Sequence, residues 1–284
     1  MKKLTVACGI VCVMISCTHS VTNPYVDPVT PVDARPHVLE GDRDRVWELV
    51  FSDEFEDGRV DTAKWKIVDQ NKGFKDGIHR YFRPDNISES RGCLEVIYRY
   101  EGDSTYTSGK VSTHGLYSAQ YGYFECRMRS VKTNGHQMAF WMMPDDGTGM
   151  SRVLDGTAND GAEVDIVETM RRSDHYSCGL HWDGYSKGHR SNGKVVKAPG
   201  LHDNGMNVYA FEWAPDCLKF YFNGKVVRTM TDSILIPRVK EHLILSGCCF
   251  AGGWTDGDIR ENRQLPDTSF VDYVRVYRLK EAGK

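Results

Sequence analysis

The feature that most constrains the fold is a series of short β-rich runs separated by turn signals. The clearest pair is Leu-Lys-Phe-Tyr-Phe at 218–222 and Lys-Val-Val-Arg-Thr-Met at 225–230, which are separated by Asn223-Gly224. An Asn-Gly pair between two such runs favours a tight hairpin, because both residues tolerate the positive φ angles of that turn. The sequence therefore predicts two antiparallel strands here.

β-rich runs recur at 122–129, 208–213 and 271–277, and no segment carries a long apolar stripe of helical period. Many short strands without such helices are typical of a sandwich or a barrel. We therefore predict one all-β domain over residues 45–280. The formal net charge is −3 and no basic block is present, which argues against a nucleic-acid partner. We expect a monomer.

The N-terminal residues are typical of an export signal. Lys2 and Lys3 precede an almost wholly apolar run at 4–15, which is too short to span a bilayer. The sequence Met-Ile-Ser-Cys follows and resembles a bacterial lipobox, with Cys17 as the lipidated residue. We predict a signal peptide at 1–16 and a lipoprotein of the cell envelope, anchored in the outer membrane and facing the periplasm or the outside. An ordinary signal peptide with an incidental Cys is the alternative.

Residues 17–44 are expected to form a flexible tether between the lipid and the domain. The segment is rich in proline and has few large apolar residues, which suits an extended spacer. Its prolines are Pro24, Pro28, Pro31 and Pro36.

The segment that points to chemistry is Glu-Val-Asp-Ile-Val-Glu at 163–168. In a strand, Glu163 and Asp165 project from the same face, because side chains alternate. Glu168 would point away in a regular strand, and one extra residue, a β-bulge near 166–167, would return it to that face. The pattern therefore predicts three carboxylates on one face, conditional on a bulge.

Such a carboxylate cluster costs stability, because its members repel one another, and it therefore indicates catalysis or cation binding. Glycoside hydrolysis needs two such groups. One attacks the anomeric carbon, and the other is kept protonated and donates a proton to the leaving oxygen. Glu163, Asp165 and Glu168 are therefore the candidate catalytic residues.

Residues 163–168 resemble the active-site signature of glycoside hydrolase family 16, in the bulged Glu-x-Asp-x-x-Glu form of its laminarinase-like and agarase-like branches. The resemblance extends over about residues 46–279, and the supporting motifs follow in the family's order. They lie at 51–55 with Trp65, 121–127, 139–144, 180–182, 211–213 and 271–277.

This resemblance implies a β-jelly-roll sandwich of two curved antiparallel sheets, whose concave face forms the substrate cleft. It implies a retaining, endo-acting glycoside hydrolase in which Glu163 is the nucleophile, Glu168 is the acid/base and Asp165 tunes their protonation. No cofactor is required by this chemistry.

Several residues outside the motif are expected to contact the sugar. Trp254 lies between glycines, so we expect it on a loop where its ring can stack on a sugar. The others resemble family positions in or beside the cleft. The predicted substrate-binding residues are Trp254, Trp141, His181, Trp182, Arg80 and Tyr81.

A structural calcium is compatible with the sequence at one place. Glu56 and Asp272 resemble positions that contribute to such a site in some members of the family, and carboxylate oxygens suit calcium. No other metal is expected.

The sequence departs from the laminarinase-like pattern just before the motif. Those members commonly carry Trp-Pro-Ala-Phe-Trp, whereas residues 137–141 here read Gln-Met-Ala-Phe-Trp, so the first aromatic platform is absent. We predict a β-1,3- or β-1,3/1,4-glucan as the substrate, and a red-algal galactan or a mucin-type O-glycan is the alternative. Two alternatives belong to other functional classes. One is a non-catalytic glycan-binding surface lipoprotein, and the other is a calcium-binding structural module.

Overall fold

Strands make up most of the chain, and the computed structural model contains no α-helix within the residues it describes. Those residues are 23–39, 45–146, 153–169, 174–203, 205–253, 255 and 257–280. Single 3-10 turns occupy Pro84–Asn86, Ser233–Leu235 and Ile259–Glu261.

The strands are numbered in chain order. They are β1 Trp47–Asp53, β2 Lys66–Ile67, β3 Gln70–Lys75, β4 Ile78–Phe82, β5 Ile87–Ser90, β6 Cys93–Gly102, β7 Thr105–Ser108, β8 Lys110–Ser112, β9 Gly122–Arg129, β10 His136–Pro144, β11 Glu163–Thr169, β12 His175–Trp182, β13 Arg190–Lys197, β14 Asn207–Trp213, β15 Leu218–Phe222, β16 Lys225–Met230, β17 Glu241–Cys249 and β18 Asp267–Leu279.

These strands form two sheets. The larger has 11 strands in the order β16-β15-β14-β9-β18-β6-β7-β4-β3, with β1 also paired to β18 and β5 to β6. The smaller has 7 strands in the order β13-β12-β11-β10-β17-β8-β2. The all-β jelly-roll sandwich is confirmed. One pair of neighbouring strands is parallel, namely β4 and β7. Strands β5 and β6 lie between them in the chain, so that β7 runs in the same direction as β4.

The predicted hairpin is present between β15 and β16. Phe222 pairs with Lys225, and the two residues of the turn have positive φ angles, 46° at Asn223 and 78° at Gly224. Asparagine and glycine adopt this backbone at low cost, which is why the Asn-Gly signal was informative.

A core rich in aromatic residues fills the space between the sheets. Alternation along β10 sends Met138, Phe140 and Met142 into this core. The residues between them, including Ala139 and Trp141, face the opposite side of the smaller sheet. That opposite face carries the site described below.

Residues 23–39, the described part of the segment expected to be a tether, lie against the domain. The hydroxyl of Tyr25 donates to the carbonyl of Leu116 at 3.0 Å, and the amide of Leu39 donates to the carbonyl of Gly224 at 3.0 Å. This part of the segment therefore covers some of the domain surface, and its polar groups hydrogen-bond to the strands and turns beneath it.

The predicted signal peptide at 1–16 and the predicted lipidation residue Cys17 lie outside the described residues. Over the described residues, no helix combines the length and the apolar character needed to cross a bilayer.

Candidate active site

A β-bulge in β11 determines the geometry of the site. Strand β10 pairs Phe140 with Val167 and the next residue, Trp141, with Asp165, so one residue of β11 is left without a partner. The pairing of β11 with β12 shifts at the same point, between Asp165 and Glu168. The predicted bulge is confirmed, and it turns the third carboxylate to the same face as the first two.

Glu168 is held in the form that a general acid requires. Its Oε1 accepts a hydrogen bond from Nε2 of Gln137 at 2.9 Å. Burial, and after it the charge of Glu163, raises the pKa of Glu168 to about 8, against the opposing effect of the Gln137 hydrogen bond. At neutral pH this carboxyl group therefore carries a proton.

Asp165 is the most deeply placed of the three acids, with 4% of its surface exposed. Burial, followed by the charges of Glu168 and Glu163, raises the pKa of Asp165 well above its usual range. Asp165 and Glu168 therefore both favour the protonated form at neutral pH. Together with Glu163 they are hereafter called the acidic trio.

His181 on β12 stands directly beside the trio. Its Nε2 lies 3.4 Å from Oδ2 of Asp165, and its Nδ1 lies 2.9 Å from Nε2 of His189. The two imidazole rings are stacked, with centroids 5.1 Å apart. Burial lowers the pKa of His181, against the raising effect of the Glu163 charge, and this favours the neutral form of the ring.

Glu163 is half-buried and has a donor of its own. The hydroxyl of Tyr185, on the loop after β12, donates a hydrogen bond to Oε2 of Glu163. Burial and the charge of Glu163 raise the pKa of Tyr185, so this phenol remains a donor throughout the neutral range. The contact orients Oε2 of the Glu163 carboxylate.

The floor of the site continues from β11 over β10, β17 and β8. Trp141 is half-buried there, and its indole Nε1 donates to Oγ of Ser246 at 3.1 Å. The ammonium of Lys110 lies 5.1 Å from the centroid of the Trp141 ring. A cavity of about 380 Å³, hereafter the lateral pocket, opens beside the trio, and its lining includes Lys66, Lys110, His114, Trp141 and His242.

The structure corrects one predicted substrate contact. Trp182 is only 6% exposed and belongs to the hydrophobic core, because it alternates with His181 along β12 and therefore points to the other face of the sheet. His181 and Trp141, by contrast, lie at the site as predicted.

Arg80 and Tyr81 make their ring and cation contacts with residues outside the trio. Arg80 places its guanidinium 5.5 Å from the Phe250 ring, and Tyr81 is covered by Arg83, whose guanidinium is 4.3 Å from its ring. Trp254 lies outside the described residues.

The calcium prediction concerns a different part of the surface. Asp272 accepts a hydrogen bond from Arg127, and neither Glu56 nor Asp272 belongs to a cluster of three potential ligands among the described residues. A structural calcium here remains a prediction.

Three contributors to the site were not predicted. Gln137 could have been found, since it shares a face with Ala139 and Trp141 at a spacing of two residues along β10. Tyr185 and His189 lie on or next to the loop after β12, and no sequence spacing indicates that this loop folds back over Glu163.

A two-sheet β-sandwich whose floor carries three clustered carboxyl groups, two of them with raised pKa values, defines the class of this protein: it is a glycoside hydrolase. Residues 47–279 match the family model described as Beta-porphyranase A-D, GH16 domain. The chain belongs to glycoside hydrolase family 16, a retaining family.

Individual relatives differ in what they act on. The chain is 29% identical over 255 residues to a β-glucanase of Rhodothermus marinus, covering 83% of this chain and 86% of the relative. It is also 29% identical over 246 residues to a keratan-sulfate endo-1,4-β-galactosidase of Sphingobacterium multivorum, covering 82% of this chain but only 56% of that protein.

A solved structure shares the fold closely. It is described as "Prominent members of the human gut microbiota express endo-acting O-glycanases to initiate mucin breakdown". It superposes with a TM-score of 0.69 at 26% identity, over 87% of this chain and 94% of that one.

Proposed function

We propose that this enzyme cleaves internal β-linkages by double displacement, with Glu163 as the nucleophile and Glu168 as the acid/base. The observation that carries the proposal is the bulge in β11, which turns both side chains to one face. In the first step the protonated Glu168 gives its proton to the leaving glycosidic oxygen while the carboxylate of Glu163 attacks the anomeric carbon. The products are a glycosyl ester on the enzyme and a shortened chain with a free hydroxyl.

Electrostatics explains how Glu168 changes role in the second step. Formation of the ester neutralises Glu163, whose charge is one of the causes that raise the pKa of Glu168. The pKa of Glu168 therefore falls in the intermediate, and its carboxylate takes a proton from the attacking water. Asp165 stays protonated through burial, which limits the charge that the site must hold.

Two measurements test this assignment. Proton NMR of the first product should show the anomeric configuration of the substrate, because two inversions restore it. Glu163→Gln should abolish hydrolysis while leaving the fold intact, since the amide preserves the side-chain volume. Equal product from wild type and variant would exclude Glu163 as the nucleophile.

For the substrate we infer a β-linked, galactose-containing glycan that carries anionic substituents. Gln137 stands where laminarinase-like members commonly carry the first tryptophan of the motif. Its side chain donates a hydrogen bond to Glu168 and offers no ring for stacking on a sugar. Lys66 and Lys110 line the lateral pocket. The lysine ion pairs found among the described residues involve Lys64, Lys132 and Lys219 and neither of these two. Sulfate or carboxylate groups on a sugar would be attracted there, and a neutral glucan offers neither.

The relatives support two candidates. The family model of the porphyranases and the keratan-sulfate galactosidase favour a galactose-containing glycan. The β-glucanase is as similar to this chain in sequence identity as the galactosidase is. A β-1,3- or β-1,3/1,4-glucan is therefore the second candidate.

A substrate panel separates these candidates. It should contain laminarin, mixed-linkage glucan, red-algal galactans, mucin O-glycans, and keratan sulfate before and after desulfation. We expect turnover of a galactose-containing substrate, with a higher KM after desulfation, and short oligosaccharides from the start of the reaction, as endo action requires. Turnover of laminarin alone would reject the galactan and support the glucan.

We also propose that the enzyme is a lipoprotein held at the cell envelope through Cys17. The support is the lipobox-like sequence that follows the apolar run at 4–15. Cys17→Ser should move the protein from the membrane fraction to the soluble fraction. Membrane association that survives this substitution would reject the anchor.

A further inference from the structure

A second cluster of potential ligands lies at the lateral pocket and shares no residue with the acidic trio. It consists of His114, which follows β8, Asp145, which follows β10, and His242, which lies on β17 between those strands. One ligand atom from each residue lies within 4.8 Å of the other two. Three elements that are distant in sequence therefore converge on one point.

His242 is the observation that points to a ligand. Its side chain is only 9% exposed, and its Nδ1 has no hydrogen-bond partner among the described residues. This nitrogen lies 3.6 Å from Oδ1 of Asp145, which is too far for a hydrogen bond. A buried ring nitrogen without a partner is unfavourable, so this arrangement requires an explanation.

The separation matches that of two ligands on one metal ion. Zinc binds imidazole nitrogen and carboxylate oxygen at roughly 2.0–2.2 Å, and two such ligands at a tetrahedral angle stand about 3.4 Å apart. The observed 3.6 Å between Nδ1 of His242 and Oδ1 of Asp145 is close to this value. The ring of His114 is 4.8 Å from that of His242 between centroids, and one of its ring nitrogens lies within 4.8 Å of the ligand atoms of the other two residues.

The protonation states also suit a metal. Burial, and then the neighbouring His114, lowers the pKa of His242 to about 4, so its imidazole is neutral at neutral pH. The backbone amide of Gly115 donates to Oδ1 of Asp145 at 3.0 Å and orients the carboxylate. Lys110 opposes a cation, but burial lowers its pKa to about 8, so its charge declines as pH rises.

We propose that His114, Asp145 and His242 hold a divalent transition-metal ion of the zinc class at the lateral pocket. Two imidazoles and one carboxylate leave at least one coordination position open. Both histidines line the cavity, so that position faces the space where sugar units would lie. The ion binds a hydroxyl or an anionic substituent of the sugar and takes no part in bond cleavage. This role rests on the proposed function, whereas the metal site does not.

Metal binding by the purified, tag-free protein tests the site directly. After treatment with EDTA and removal of the chelator, we expect isothermal titration to give one equivalent of Zn²⁺. Titration with Co²⁺ should give the intense visible bands of a tetrahedral site.

The variants are chosen to distinguish this site from the acidic trio, where Glu163, Asp165 and His181 also lie within 4.8 Å of one another. His242→Ala and Asp145→Asn should each weaken Zn²⁺ binding at least tenfold, whereas the control His181→Ala should bind as wild type does. Asp145→Asn removes only a charge at a half-buried position, so it serves if His242→Ala does not fold.

Two outcomes would overturn the proposal. One is a wild-type protein that binds no stoichiometric Zn²⁺, and the other is binding lost in His181→Ala but kept in Asp145→Asn. The first outcome leaves the hydrolase assignment untouched, because the readout is metal binding and not turnover. The second would move the ion to the acidic trio, and the Glu163→Gln hydrolysis assay tests the catalytic role of that trio separately.

Discussion

Replacement of Glu168 by glutamine should stabilise the protein at alkaline pH while it abolishes hydrolysis. The pKa of Glu168 is about 8 in the folded protein, against an ordinary value of 4.5. Because the folded state binds this proton more tightly than the unfolded state, the carboxyl group contributes stability that is complete below pH 4.5 and is lost as pH rises through 8.

The magnitude follows from the same two values. Each unit of pKa difference between the folded and unfolded states corresponds to ~1.4 kcal/mol. The full difference for Glu168 therefore lowers the free energy of unfolding by about 5 kcal/mol above pH 8. Asp165 is buried beside Glu168 and shares its protons, so we expect about 2–3 kcal/mol for Glu168 alone. Glu168→Gln keeps an oxygen that accepts from Gln137 and cannot ionise, so it avoids this loss.

The assay is urea unfolding of wild type and Glu168→Gln at pH 5 and at pH 8.5, followed by tryptophan fluorescence. The two proteins should have similar free energies of unfolding at pH 5, and the variant should be more stable at pH 8.5. Glu101→Gln, at an exposed position of β6, is the matched control and should show no such pH dependence. If the free energies of unfolding of wild type and Glu168→Gln differ by the same amount at both pH values, the reasoning is refuted.

Four further predictions concern the site and its surroundings. The alkaline limb of kcat/KM should lie near pH 8, because the general acid Glu168 loses its proton there, and a limb near pH 5 would contradict this. Tyr185→Phe removes the donor to Glu163 and should lower kcat by roughly 10- to 100-fold with little change in Tm, since hydrogen bonds to charged groups contribute about 1.5–3 kcal/mol. Trp182→Ala should cost about 3–5 kcal/mol of stability. Trp141→Ala should instead raise KM by roughly threefold to tenfold through lost stacking, and equal destabilisation by both substitutions would show that Trp141 is a core residue.

Much of the fold was readable from local patterns. The Asn223-Gly224 hairpin follows from the φ angles that two residues tolerate, and the β11 bulge follows from the spacing of three acidic residues. Strand alternation also indicates the orientation of Trp182, since it is next to His181 on one strand and must point to the other face of the sheet. Trp182 was wrongly predicted to bind substrate because it was grouped with His181 as one motif, although the two residues lie on opposite faces.

Local patterns along the chain were enough to predict an all-β domain, three carboxylates on one face of a strand and a two-carboxylate hydrolase, because strand periodicity and turn chemistry act over a few residues. Contacts between distant segments were needed to show that residues 23–39 pack on the domain, that Tyr185 reaches Glu163 and that His114, Asp145 and His242 converge. The protonation of Glu168 belongs to the same group, since burial and a neighbouring charge set its pKa, and both are properties of packing between segments that are distant in the chain.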